Sequence, residues 1–271
     1  MVSPARAPRF ELRRGDLVGR GAPVALLHGF LGRPASWDAV VDALPRRGPL
    51  ALGELPGHGP DPIVAEGATF DEVADALVDA LPFVDPTWLV GYSMGGRLAL
   101  AMALRRPDRV RGAVLVGASP GLPSPADRAA RASWDDDQAA RIEREGLARF
   151  VTSWEALPLF ASQGALPEET LARQRAHRLD HVPAALAWSL RTLGLGRMPP
   201  LWSELASART EIVIVAGSLD AKFSAHARAV ARTTEHARAV LAAQVGHNVG
   251  LEAPSALARI VDGAIAPTTT R

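Results

Sequence analysis

Three residues of this chain have the types and the order that activate a hydroxyl: Ser93, Asp220 and His247. A serine hydroxyl is a weak nucleophile and a weak base at neutral pH. An imidazole must take its proton, and a carboxylate must hold that imidazole in the correct tautomer. Ser93 lies in Val90-Gly91-Tyr92-Ser93-Met94-Gly95-Gly96-Arg97. The apolar Trp88-Leu89-Val90 leads into this stretch, and an Ala/Leu-rich helical pattern from Leu98 to Leu104 leaves it. A serine flanked by glycines between a strand and a helix sits on a turn tight enough to lift its hydroxyl clear of a sheet. The backbone N–H of Met94 then points to where an oxyanion forms. Asp220 ends Gly217-Ser218-Leu219-Asp220, just after the apolar run Glu211 to Ala216. His247 lies in Val245-Gly246-His247-Asn248, after Ala239-Val240-Leu241. Both follow strands, so both are expected at the sheet edge where Ser93 projects.

Other residues compete for a role or add to this one. His28-Gly29-Phe30-Leu31-Gly32 is an H-G-x-x-G turn after an early strand. It offers a second oxyanion donor, the N–H of Phe30. Arg97 follows Ser93 by four residues and shares its helix face. A buried guanidinium without a partner is costly, so Arg97 should meet either an internal carboxylate or a substrate carboxylate. His58, in Leu55-Pro56-Gly57-His58-Gly59, reads as loop-structuring in preference to catalytic. Asp135, Asp136 and Asp137 read as a solvated helix face or N-cap. His177 and His181 are one helical turn apart, a spacing that can hold a metal. The glutamate after the first histidine is missing and an arginine intervenes, so a surface pair is the better reading and no metal is expected.

The elements that must position these residues alternate. Short apolar runs at Pro23–Leu27, Leu50–Leu52, Trp88–Val90 and Val110–Val116 read as strands buried on both faces. Phe10–Arg13 reads as a further short strand. Helical patterns fall between them at Ala35–Leu44, with Ser36 as N-cap, and at Thr69–Leu81, where Thr69 and Glu72 have capping-box spacing. Strands alternating with helices imply a parallel sheet wrapped by helices. From Pro123 to about Ser203 there are helical patterns and no strand. This stretch is rich in arginine and tryptophan and reads as a helical cap over the sheet's C-terminal edge, where ligands bind in such sheets. The strand pattern resumes at Glu211–Ala216. A helix to about Glu235, a last strand at Ala239–Leu241 and a helix over Ser255–Ala264 complete the chain. The expected division is a core of residues 1–122 and 204–271 interrupted by a cap of 123–203.

Composition narrows the class. The chain has 271 residues, of which 48% are hydrophobic and 22% charged, with a net charge of +1. That length supports one large core with an insertion, and the charge balance provides no field for nucleic acid. Cysteine is absent, which excludes disulfides and thiolate metal sites. Met1 to Asp16 has arginines but no apolar stretch behind them, so it does not read as a signal peptide. No run approaches the roughly 20 apolar residues of a membrane helix. A cytoplasmic protein is expected, with no cofactor and no membrane partner. Its oligomeric state is left open, a monomer included.

The whole chain resembles the α/β-hydrolase fold, and within it the 2-succinyl-6-hydroxy-2,4-cyclohexadiene-1-carboxylate synthases of menaquinone biosynthesis. The stretches carrying the resemblance are Leu27–Gly32, Leu55–Gly59, Val90–Arg97, Gly217-Ser218-Leu219-Asp220-Ala221-Lys222-Phe223 and Gly246-His247-Asn248. The cap adds Trp154-Glu155-Ala156-Leu157-Pro158-Leu159-Phe160 and Leu190–Gly196 before Pro199-Pro200-Leu201-Trp202. Glu54 departs from the aspartate more usual before Leu55-Pro56-Gly57-His58-Gly59. The resemblance implies a lyase that eliminates pyruvate from an enolpyruvyl cyclohexene bearing three carboxylates, with Ser93 as base. It implies that Arg97, Arg131 and Arg175 bind those carboxylates and that Tyr92 and Trp154 are pocket aromatics. The alternative is a serine hydrolase of small esters, thioesters or C–C bonds, which uses the same three catalytic residues. A non-catalytic binding protein on this fold is a third class, against which an intact triad argues.

Overall fold

The structure is a computed structural model that describes residues 7–12, 21–45 and 48–266. Arg13 of the expected first strand and most of Met1–Asp16 lie outside the described residues. Seven strands form one sheet: β1 (Arg9–Leu12), β2 (Val24–Leu27), β3 (Leu50–Glu54), β4 (Thr87–Tyr92), β5 (Val110–Val116), β6 (Glu211–Gly217) and β7 (Ala237–Ala242). Their order is β1-β3-β2-β4-β5-β6-β7. β1 pairs antiparallel with β3, and every other pairing is parallel. The continuous apolar runs have a direct cause in this arrangement. In β2, Ala25 and Leu27 face one core and Val24 and Leu26 the other. Both faces are dry, so neither register can be polar.

Helices cover both faces. On one lie α2 (Phe70–Asp79), α3 (Met94–Arg105) and, after β6, α9 (Ala221–Ala231). On the other lie α1 (Asp38–Asp42) and α11 (Pro254–Ile265), through Val40, Leu257 and Val261. The short α10 (Val249–Glu252) precedes α11. The capping box of α2 is formed: Glu72 N–H donates to Thr69 Oγ1 at 3.2 Å, and Thr69 N–H to Glu72 Oε2 at 2.8 Å. Ser36 is not an N-cap. The expected helix at Ala35 begins as a 3-10 turn (Pro34–Trp37), and Ser36 Oγ accepts from Arg33 N–H, three residues back, at 3.0 Å.

Between β5 and β6 the described chain is helical: α4 (Pro125–Glu145), α5 (Leu147–Glu155), a 3-10 stretch (Pro158–Ala165), α6 (Glu168–Leu179), α7 (Pro183–Leu193) and α8 (Trp202–Ser207). Arg33 joins this segment to the sheet. Its Nε donates to Glu54 Oε2 at 3.2 Å, and its Nη1 donates to the backbone oxygen and the carboxylate of Asp180. No described helix is long and apolar enough to cross a membrane.

The turn after β4 has no slack. A Cβ on Gly95 would fall on the carbonyl oxygens of Leu27 and His28, and one on Gly91 would fall on the Gly95 carbonyl. Backbone cannot move aside as a side-chain end can. Gly95→Ala is therefore expected to destabilise the protein by at least about 2 kcal/mol in urea titrations. An unchanged midpoint would show that the turn yields.

Candidate active site

Ser93 is the residue between β4 and α3, with φ 50° and ψ −106°. That left-handed φ is costly for a residue with a Cβ. It persists because Ser93 N–H is bonded to Val116 O at 2.9 Å and Ser93 O accepts from Arg97 N–H at 3.0 Å. Met94 is the first residue of α3, so its N–H has no acceptor one turn back within the helix. The Phe30 turn is braced from behind. Gly29 O accepts from Gly32 N–H at 2.9 Å and from His28 Nδ1 at 2.9 Å, while His28 Nε2 accepts from Leu55 N–H at 3.1 Å.

Asp220 caps α9, its Oδ1 accepting from Phe223 N–H at 3.1 Å, and its Oδ2 accepts from His247 Nδ1 at 2.8 Å. This bond places the imidazole proton on Nδ1 and leaves Nε2 as the lone-pair nitrogen. Burial alone would raise the Asp220 carboxyl. The His247 bond, the Phe223 N–H and the charges of His247 and Lys222 together bring it below its ordinary value. His247 is 2% exposed, between the rings of Tyr92 at 5.4 Å and Phe223 at 4.5 Å. Gly117 makes room for it, since a Cβ there would stand 2.9 Å from the imidazole Cε1. Ser93 and His247 line one cavity of about 530 Å³, together with Phe30, Met94, Tyr92 and Trp154. No hydrogen bond joins Ser93 Oγ to His247 among the described residues. Catalytic contacts of this kind commonly close only when substrate is bound.

Arg97 faces this cavity and is 8% exposed. No carboxylate of the described residues pairs with it: Nη1 donates to the Leu193 carbonyl at 2.8 Å. Burial, and then the nearby Arg131 charge, lower its pKa to about 10, with Asp135 opposing. Arg131 also lines the cavity, its Nε 2.9 Å from Asp135 Oδ1 and its guanidinium 4.7 Å from the Trp134 ring centroid. Arg175 does not line it. Its guanidinium is held by Glu155 and by Thr152 Oγ1 at 2.8 Å. The inward residues of α6 are Thr170, Arg173, Gln174, His177 and Arg178, a face on which position 175 does not fall. Arg178 reaches the cavity while donating to Glu155 Oε1 at 3.0 Å. Helical spacing held this signal, but it could not say which face of α6 turns inward.

Two polar groups differ from expectation. Asp135 is fully buried: besides the Arg131 pair, its Oδ2 accepts from Gly196 N–H at 3.2 Å, joining α4 to the loop after α7. His181 is not part of a surface pair. α6 ends at Leu179, and His181 beyond it is 7% exposed, its Nδ1 accepting from Gly59 N–H at 2.9 Å. His58 is fully buried, with Nδ1 donating to Pro56 O at 3.1 Å, as a loop-structuring residue should be. No group of residues suited to a metal ion occurs among the described residues.

A mostly parallel sheet with a strained serine after its central strand and a His–Asp pair at the same edge defines the class. The chain belongs to the α/β-hydrolase family, and its residues 22–254 match the family model for the alpha/beta hydrolase fold. Within that family it is similar to a putative 2-succinyl-6-hydroxy-2,4-cyclohexadiene-1-carboxylate synthase of Bacillus subtilis (strain 168), at 35% identity over 88% of each chain. It is 32% identical to the synthase of that name from Serratia proteamaculans (strain 568), over 86% of this chain and 88% of the relative. Among solved structures, MenH from S. aureus superimposes with a TM-score of 0.88 at 29% identity, covering 94% of this chain and 97% of that one. A thermophilic esterase from Thermogutta terrifontis gives 0.78 at 26% identity, covering 94% and 92%.

The buried histidines make a pH prediction. Burial, and then the charges of His28 and Arg33 against the opposing Leu31 backbone contact and Glu54, lower His181 from 6.5 to about 4. Between those values the unfolded chain binds a proton that the folded chain does not, so stability falls as pH falls, by on the order of 3 kcal/mol across the window. His58 is pushed well down by burial and adds in the same direction. The melting temperature should drop from pH 7 to pH 4. His181→Gln, which keeps an acceptor for Gly59 but cannot titrate, should flatten that drop; an unaltered slope would refute the assignment.

Proposed function

We propose that this chain eliminates pyruvate from 2-succinyl-5-enolpyruvyl-6-hydroxy-3-cyclohexene-1-carboxylate to give 2-succinyl-6-hydroxy-2,4-cyclohexadiene-1-carboxylate, a step of menaquinone biosynthesis. The observation that carries this reading is Arg97. A nearly buried guanidinium with a carbonyl for a partner faces the same cavity as Ser93 and the His247–Asp220 pair. A site for a neutral ester has no use for that charge, and folding is weakened by it. A polyanionic substrate supplies its counter-charge. The relatives' names and the S. aureus structure support the same reading.

In this mechanism His247 Nε2 takes the Ser93 proton as Ser93 Oγ removes a proton from the carbon next to the substrate ketone. The electrons move onto the ketone oxygen. The N–H groups of Phe30 and Met94 hold that enolate, as they would the oxyanion of an acyl transfer. Asp220 stabilises the imidazolium. When the carbonyl re-forms, electrons move through the ring and the C–O bond to enolpyruvate breaks; the proton held by the protein goes to the departing group. Arg97, Arg131 and Arg178 bind carboxylates, Arg178 taking the place given to Arg175. Trp154 and Tyr92 form apolar walls. Burial raises the Tyr92 phenol above its ordinary range, so it stays a neutral hydrogen-bond donor. The helical segment roofs the site as a cap.

Purified protein given the enolpyruvyl cyclohexene should release pyruvate far faster than it hydrolyses p-nitrophenyl acetate. The reverse ranking would favour the serine-hydrolase alternative. Ser93→Ala should lower pyruvate release by at least about 10³-fold with an unaltered melting curve. Arg97→Ala should cost about 10²-fold in kcat/KM for the tricarboxylate and little for the neutral ester. Equal losses on both substrates would remove the carboxylate role.

A further inference from the structure

The basic side chains of this chain comprise 29 arginines and one lysine, Lys222. Lys222 lines the cavity two residues beyond Asp220, in the first turn of α9. Its Nζ lies 5.8 Å from the centroid of the Phe223 ring, and that ring lies 4.5 Å from the His247 imidazole. The chain's single lysine therefore lines the cavity on the side of Phe223, and it is exposed to solvent.

Its charge favours the ionised Asp220 carboxylate, but its place in the helix is otherwise unfavourable. The first turn of a helix is its positive end, where a cation is repelled. His226, one turn further along α9, also lines the cavity and is lowered by burial and then by the Lys222 charge. No carboxylate lies within ion-pairing distance of Lys222 among the described residues. Arg131 and Arg178, which also line the cavity, are by contrast paired with Asp135 and Glu155. Among the described residues, the cavity lining thus includes three cations without a carboxylate within ion-pairing distance: Arg97, one turn after Ser93, Arg173 on α6, and the solvent-exposed Lys222, just after Asp220.

We propose that Lys222 is a substrate-binding residue whose ammonium receives one carboxylate of the anionic substrate, complementing Arg97 in the same cavity. This rests on reading the cavity as a polycarboxylate site. An ammonium suits the position: it is a compact charge with three rotating donors, and it can follow a carboxylate that moves as a leaving group departs, where a planar guanidinium fork is confined to fewer orientations.

The test uses Lys222→Met and Lys222→Arg, with two readouts. One is pyruvate release from the enolpyruvyl cyclohexene. The other is binding of tricarballylate, an unreactive tricarboxylate, followed by the fluorescence of Trp134 and Trp154 in the cavity wall. Lys222→Met should raise KM and the tricarballylate Kd by about tenfold or more, with kcat altered less than about threefold, and should reduce the salt dependence of Kd. Lys222→Arg should recover most of the affinity. The melting temperature of Lys222→Met should equal or exceed that of the parent, since a cation leaves the positive end of a helix. Unchanged KM and Kd in Lys222→Met would overturn the proposal, as would a lowered melting temperature with affinity intact or a parent protein that does not bind tricarballylate. If the parent binds tricarballylate but releases no pyruvate, the proposed reaction fails while the tricarballylate comparison still decides Lys222.

Discussion

The backbone contact of Gly95 with the carbonyls of Leu27 and His28 governs the rest of the site. It brings the N-terminus of α3 against the end of β2, and this sets Met94 beside the Phe30 turn. In the proposed mechanism the N–H groups of Phe30 and Met94, from chain segments more than sixty residues apart, then serve one oxygen. Ser93 is forced to φ 50° by the same turn, and the strain is held by hydrogen bonds to β5 and along α3. Preorganisation of this kind stabilises developing charge without reorganisation during the reaction.

On that frame the protein places charge where folding would not choose it. Arg97 is buried with a single carbonyl partner, and Lys222 occupies the positive end of α9. Other arginines show the opposite pattern. Arg105, Arg106 and Arg191 lie on the outer surface with carboxylates in direct contact. On the proposed reading, Arg97 and Lys222 are the cations that await a ligand. A buried, weakly partnered charge such as Arg97 is what a binding site keeps at the expense of stability.

At the Phe30 side the helical segment meets the core through apolar packing, Phe30 against Phe150 and Trp154, and through polar contacts. Arg33 reaches Asp180, and Gly59 N–H reaches His181. Both contacts lie directly behind the turn that carries Phe30. The position of α6, and with it Arg173 and Arg178, is therefore linked to the turn that carries Phe30. Desolvated histidines at this junction make its strength depend on pH.

The chain's local chemistry was legible before any coordinates. Buried parallel strands announce themselves as unbroken apolar runs because both of their faces are dry. The Thr69–Glu72 cap is readable because it is satisfied within three residues. Ser93, Asp220 and His247 are readable because each lies soon after the end of a strand, β4, β6 and β7 in turn. What remained for tertiary structure was orientation. Helices α4 and α6 are Ala- and Arg-rich with weak amphipathic contrast, so their sequence does not say which side turns inward. Hence Arg178 and not Arg175 enters the cavity, Asp135 is buried within what reads as a solvated acidic run, and His181 leaves the helix to bond Gly59. A helix encodes its own hydrogen bonds, but the partner of each of its faces is decided by packing against residues distant in the chain.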